Sequence, residues 1–320
     1  MLVKDVRKEI EKYNKLELTE IIVELYKRIP KSKKEEYNID DFIRDAQTKK
    51  KKVKKEVSFI DLQKEITYFL ECVDKGYYII PNKIISKKER SAWRFKVKRY
   101  YKELNHISPN SPNGGIATVL LIEIFKRLSI GSARLLFVNW ETFRALGVSQ
   151  SDYYDTLMKR ILYCGYTKEN LKKCVNLLSV DKDPYQLSYD MCSKFISNLK
   201  TIDMKEDALE ILKEEVIQLK NRLLKTKNNS IAYEIEVNIN NYVECILEIN
   251  LLLNEFEIGI NYFHKNYIES DKEIKEYILL NKLDELDLKK EWIKEYEQYM
   301  NKIDYRDSLV ERYEELKGLS

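Results

Sequence analysis

The chain has 320 residues, 44% apolar and 34% charged, with a formal net charge of +4. That length accommodates a sizeable core and about two domains, and the composition excludes a disordered chain. No apolar run approaches the ~20 residues of a membrane span, and the charges spread through residues 1–11 do not fit a signal peptide.

The net value conceals a split. Residues 1–201 hold 40 Lys/Arg against 26 Asp/Glu, whereas residues 202–320 hold 17 against 27. All five prolines and six of the eight glycines lie in the first part. The basic part is therefore the natural place for an anionic partner. Five cysteines (Cys72, Cys164, Cys174, Cys192, Cys245) are odd in number, scattered and without metal-ligand spacing. That pattern suits a reducing compartment, and a cytoplasmic protein with no membrane partner is expected.

In chain order, residues 2–29 read as a helix or a close helix pair closed by Pro30, and Glu36–Gln47 as a short helix. Six lysines in Lys49–Lys55 repel one another and read as a solvated linker or basic arm. Phe59–Val73 is amphipathic, Gly76–Asn82 is extended by composition, and Ser86 opens a helix over Lys87–Leu104. The Pro/Gly/Ser cluster at His106–Gly115 is a loop, and Ile116–Leu128 is the most apolar helix. Further helices are expected over Trp140–Leu146, Ser151–Cys164, Lys168–Leu178, Pro184–Leu199 and Lys205–Lys225, with Ser151 and Thr167 as N-caps. Gly131, Gly147 and Gly165 fit helix C-termini. Lys227–Ser230 is the tip of a helical hairpin, Ile231–Asn266 is apolar on nearly every side, and Leu286–Ile303 is the best of the closing helices.

This pattern predicts an all-α protein, an irregular helical array of hairpin or solenoid-like type or a compact bundle. No fixed repeat period is present. The expected organisation is an N-terminal helical module over 1–48, a basic linker over 49–57, a basic helical domain over 58–201 and an acidic long-helix domain over 202–320.

Lys87–Leu104 is the sharpest segment. Trp93, Val97, Tyr100, Tyr101 and Leu104 share one helical face, and cations crowd the rest. Lys87, Lys88, Arg90, Trp93, Arg94, Lys98, Arg99 and Lys102 are the candidate partner- or nucleic-acid-binding residues. The bland alternative is a core helix with a solvated basic face whose Arg stems cover aromatic rings. Phe143–Ser149 followed by Ser151–Leu162 loosely resembles a helix-turn-helix, but Asp152 and Asp155 would face phosphates. Two histidines, His106 and His264, support neither a two-His metal site nor a triad. Asn113-Gly114-Gly115 lacks the lysine of a phosphate loop, and the Asp40-Asp41 and Asp152/Asp155 pairs fit helix starts. No catalytic residue, metal site or cofactor is expected.

Two stretches carry a resemblance. Leu18–Pro30 resembles a short helical module at the start of many uncharacterised bacterial proteins. Tyr78–Asn82, continuing into Lys87–Arg90 and Trp93–Lys98, resembles proteins of unknown function from low-GC Gram-positive bacteria. The resemblance implies a bacterial cytoplasmic protein and carries no activity. The leading expectation is a non-enzymatic interaction protein binding another macromolecule, most naturally a protein. One alternative is nucleic-acid binding through 49–55 and 87–102. Another is an enzyme of unrecognised type, which would need a pocket gathering His106 or His264 with carboxylates or cysteine.

Overall fold

The computed structural model describes residues 3–37, 39–44, 58–80, 84–134, 136–139, 141–163, 165–180 and 189–318. The fold is all-α, with no strand among the described residues. The lysine run at 49–55 lies outside them. The chain divides into two compact units, Met1–Asp61 and Leu62–Ser320. The charge boundary at 201/202 is therefore not a packing boundary. No helix among the described residues is long and apolar enough to cross a membrane.

In the first unit, the expected helix or helix pair is a pair, α1 (Val3–Ile10) and α2 (Lys15–Arg28). They are separated because Asn14 caps α2, accepting from the backbone N–H groups of Leu16 and Glu17, while Glu17 accepts from the Asn14 N–H. Pro30 ends α2, and α3 (Lys31–Glu36) and α4 (Ile39–Arg44) follow. Tyr26 donates to Asp40 at 2.5 Å, tying α2 to α4. Neither α2 nor α3 buries a residue.

The second unit holds the core. α5 (Phe59–Asp74), α6 (Lys87–Ser91), α7 (Trp93–His106) and α8 (Gly114–Ala133) enclose an aromatic cluster. Trp93 stacks on Phe137 at 4.3 Å between centroids, and Tyr78, Phe69 and Tyr100 continue the chain of rings. The expected single helix over 87–104 is broken at Ala92. Gly131 lies inside α8 rather than at a left-handed terminus. A Cβ there would sit 2.6 Å from the Phe137 ring, so glycine permits the close approach.

α9 (Thr142–Leu146), capped by left-handed Gly147, leads to α10 (Gln150–Tyr163). The cap of α10 is Ser149, whose Oγ accepts from the Asp152 N–H at 3.0 Å, and not Ser151, which is buried. Thr167 caps α11 (Lys168–Leu178) as expected. α12 (Tyr189–Asn198) and α13 (Ile202–Lys225) precede α14 (Asn229–Leu252), which Asn228 caps. α14 packs against α12, α13 and α15 (Phe256–Asn266). From Tyr242 to Leu251 eight of ten positions on α14 are buried. Cys192 on α12 and Cys245 on α14 form a disulfide, with Cα atoms 6.0 Å apart, a pairing across 53 residues that spacing alone does not reveal.

The apolar stretch Ile231–Asn266 is two helices because the chain reverses at Asn254, in the left-handed region at φ 61°. The reversal lays α15 against α14 so closely that a Cβ on Gly259 would come 2.8 Å from the Asn250 Cβ. α16 (Lys272–Glu285), α17 (Lys289–Tyr299) and α18 (Asp307–Lys317) complete the chain. Gly259→Ala gains about 1 kcal/mol of helix propensity but overpacks the contact by about 1–3 kcal/mol. A net loss of stability is expected in urea unfolding, and an unchanged or raised midpoint would contradict the close approach.

Candidate functional site

The expected basic face is only partly a surface. Trp93 is 2% exposed and belongs to the core, so it is removed from the partner-binding residues. Its place in the sequence, at the head of an apolar stripe with Val97, Tyr100 and Leu104, already fits packing. Arg90 is half-buried and donates to the Ile85 carbonyl at 2.8 Å. Arg99 pairs with Glu65, which also accepts from the Tyr100 hydroxyl at 2.9 Å. Lys87, Lys88, Arg94, Lys98 and Lys102 are exposed and make no ion pair with a described carboxylate. Arg94, Lys98 and Lys102 recur every four residues and so form one stripe along α7. Phe95, 65% exposed, lies beside them with the Arg94 guanidinium 5.0 Å from its ring.

Some other cations of the basic part are paired with carboxylates within the second unit. Arg134 pairs with Glu234 at 3.0 Å, Lys168 with Asp207 at 3.0 Å and Glu210 at 2.6 Å, and Lys172 with Glu215 at 3.7 Å. The helix-turn-helix resemblance does not survive. Tyr153 and Tyr154 of the would-be reading helix are fully buried, donating to the Leu121 and Cys174 carbonyls. A helix enclosed in this way cannot enter a groove of DNA.

The second constellation was not legible from the histidine count. His264 on α15 lies between two glutamates on the next two helices. Its Nε2 is 2.5 Å from Glu295 Oε1 on α17, and its Nδ1 is 3.5 Å from Glu276 Oε1 on α16. Glu276 is 4% exposed and Glu295 5%. One donor atom from each of the three residues falls within 4.8 Å of the other two. On one side a groove of about 520 Å³ between α15 and α17 is lined by His264, Glu295 and Tyr299 among others.

Local structure explains the placement. Lys275 donates to the His264 and Tyr267 carbonyls at 2.7 and 3.0 Å, satisfying the C-terminal end of α15. Asp271 caps α16, and Arg306 grips Glu273 with two 2.6 Å hydrogen bonds while stacking 3.7 Å from the Tyr277 ring centroid. That clamp fixes neighbouring Tyr305, whose ring stacks on Tyr296 at 4.5 Å. Burial and the charges of Glu276 and Glu295 push the Tyr305 hydroxyl up. Glu276 Oε2 and the Tyr305 hydroxyl are buried without a hydrogen-bond partner among the described residues.

A sequence signal for this site exists. Glu276 precedes Leu279, Leu280 and Leu283 at steps of three, four and seven, and Glu295 sits between Trp292, Tyr296 and Tyr299 at the same steps. Each is a carboxylate on an apolar stripe, which calls for a partner. His264 follows Phe256, Ile260 and Phe263 in the same way. His106, by contrast, is exposed at the end of α7. No family model matches the chain, and no curated protein or solved structure is similar to it.

Burial pushes the Glu276 carboxyl up to about 7, against the opposing charge of His264. A carboxyl whose folded pKa lies above its unfolded value takes up protons on folding, so its contribution falls as pH rises between the two. Wild type should lose about 2–3 kcal/mol from this group between about pH 5 and pH 8. Glu276→Gln should lose correspondingly less in urea unfolding with chelator present. Equal losses would show that Glu276 does not titrate there. Trp93→Ala should cost about 3–5 kcal/mol, whereas Lys98→Ala should stay within about 0.5 kcal/mol. Similar unfolding midpoints for the two would contradict the core assignment.

Proposed function

We propose that the chain is a helical interaction protein that captures an acidic protein surface on the outward face of α6 and α7. The observation that supports it is the group of five exposed cations, Lys87, Lys88, Arg94, Lys98 and Lys102, without a described carboxylate partner. Arg134 and Lys168, elsewhere in the unit, are paired. Exposed Phe95 beside Arg94 gives this face the aromatic and guanidinium groups that protein interfaces favour. Complementary charge steers encounter and fixes register, so binding should weaken with salt.

A labelled poly-glutamate peptide titrated by fluorescence anisotropy should bind at low salt. Arg94→Glu combined with Lys98→Glu should weaken that binding by about tenfold and leave thermal stability close to wild type. Absence of binding, or binding indifferent to charge reversal, overturns the reading. Tighter binding of a single-stranded or duplex oligonucleotide, with a steeper salt slope, would replace the protein partner by nucleic acid.

A second reading, an enzyme of unrecognised type, is favoured by the association of His264 with Glu295 at the wall of a groove. A histidine hydrogen-bonded to a carboxylate is an arrangement used for general acid–base work.

A further inference from the structure

We propose that His264, Glu276 and Glu295 form a binding site for a divalent first-row transition cation, of which zinc and manganese suit the donor set. The site is independent of the interaction reading, and it uses the same His264 and Glu295 as the enzymatic one. Three consecutive helices deliver one imidazole and two carboxylates, with a donor atom from each within 4.8 Å of the others. Bonds of about 2.0–2.2 Å place tetrahedral donors about 3.4 Å apart. The widest pair must therefore close by about 1.4 Å, within the reach of glutamate side-chain rotation.

Charge gives the first argument. Two carboxylates, each about nine-tenths buried or more, face a single imidazole. With both carboxylates ionised, protonating the imidazole leaves them one negative charge in excess of it. The Lys275 ammonium acts on Glu276 through space, but it donates to the His264 and Tyr267 carbonyls and forms no ion pair with either glutamate. A divalent cation with a neutral imidazole balances the cluster and displaces the shared proton.

Unmet hydrogen-bonding capacity gives the second. Glu276 Oε2 and the Tyr305 hydroxyl are buried without hydrogen-bond partners among the described residues. The Arg306–Glu273 clamp holds Tyr305 where it feels the charges of both Glu276 and Glu295. A bound ion supplies the partner that Oε2 lacks, and an ion-held water would satisfy the tyrosine. The groove beside His264 and Glu295 gives the ion a path in and leaves a coordination position open to solvent. One imidazole with two carboxylates and no thiolate selects zinc, manganese or ferrous iron over soft ions.

The test is calorimetric titration of the chelator-stripped full chain with Zn²⁺ and with Mn²⁺ near pH 7.5. One saturable equivalent of at least one ion is expected. Glu276→Gln and Glu295→Gln should each weaken it by about tenfold or more, while His106→Gln leaves it unchanged. No saturable equivalent of either ion, or one that survives both glutamine variants, overturns the site. Should the variants fail to fold, the wild-type chain still decides, because it has only two histidines. Paramagnetic Mn²⁺ should broaden the imidazole resonances of His264 at substoichiometric amounts and spare those of His106, assigned with His106→Gln. Broadening of His106 alone or of both equally overturns the site, as does broadening of neither by Mn²⁺ together with no zinc-induced shift of the His264 resonances.

Discussion

A helix that is apolar on nearly every side cannot face water, and α14 imposes that constraint on the second unit. Its residues Tyr242–Leu251 leave only Glu244 and Glu248 out of the fully buried set. Glu248 is met by Lys282 at 3.2 Å. Burial pushes the Glu244 carboxyl up to about 7, with Tyr267 beside it. The remaining surface is covered by α12, α13 and α15. Since α15 must lie close against α14 at Gly259, the position of His264 follows from the enclosure of its neighbour. The polar cluster is thus a consequence of hydrophobic burial one layer away.

Much of the fold was legible because helix periodicity and capping are local. α11 has the expected bounds, and Thr167, Ser86 and Asn228 cap where short polar residues precede apolar stripes. What periodicity does not resolve is an interruption without proline or glycine. The break at Ala92 and the reversal at Asn254 both fall within continuous apolar patterns. Gly131 was misread for a related reason: glycine serves both left-handed caps and close approaches, and only the neighbouring ring of Phe137 distinguishes them.

The candidate surface was legible in charge but not in exposure. Arg94, Lys98 and Lys102 are on the outside of α7 because Trp93, Val97, Tyr100 and Leu104 claim its inside. Counting Trp93 among the partner-binding residues mistook an anchor of the core for an anchor of an interface, a confusion natural to a residue used in both. The charge split along the chain has a different meaning in three dimensions. Lys168, Lys172 and Arg134 reach Asp207, Glu210, Glu215 and Glu234, so part of the opposition between the halves is cancelled where they pack. The acidic helices spend further carboxylates on Arg306 and Arg312. Arg94, Lys98 and Lys102 on α7 have no such partner among the described residues.

The three residues of the histidine cluster are close in the chain as well as in space, His264 and Glu295 being only 31 positions apart. Contacts of such short separation close cheaply and early, because little loop entropy opposes them. Because α15 packs along α14, the helices from 229 to 317 have the character of a cooperative segment that opens and closes as a unit. Glu273–Arg306 and Asp284–Arg312 fasten its later helices together. Hydrogen exchange across α14–α17 should accordingly be governed by one shared opening, and the cluster's geometry by the persistence of that segment rather than by the N-terminal unit.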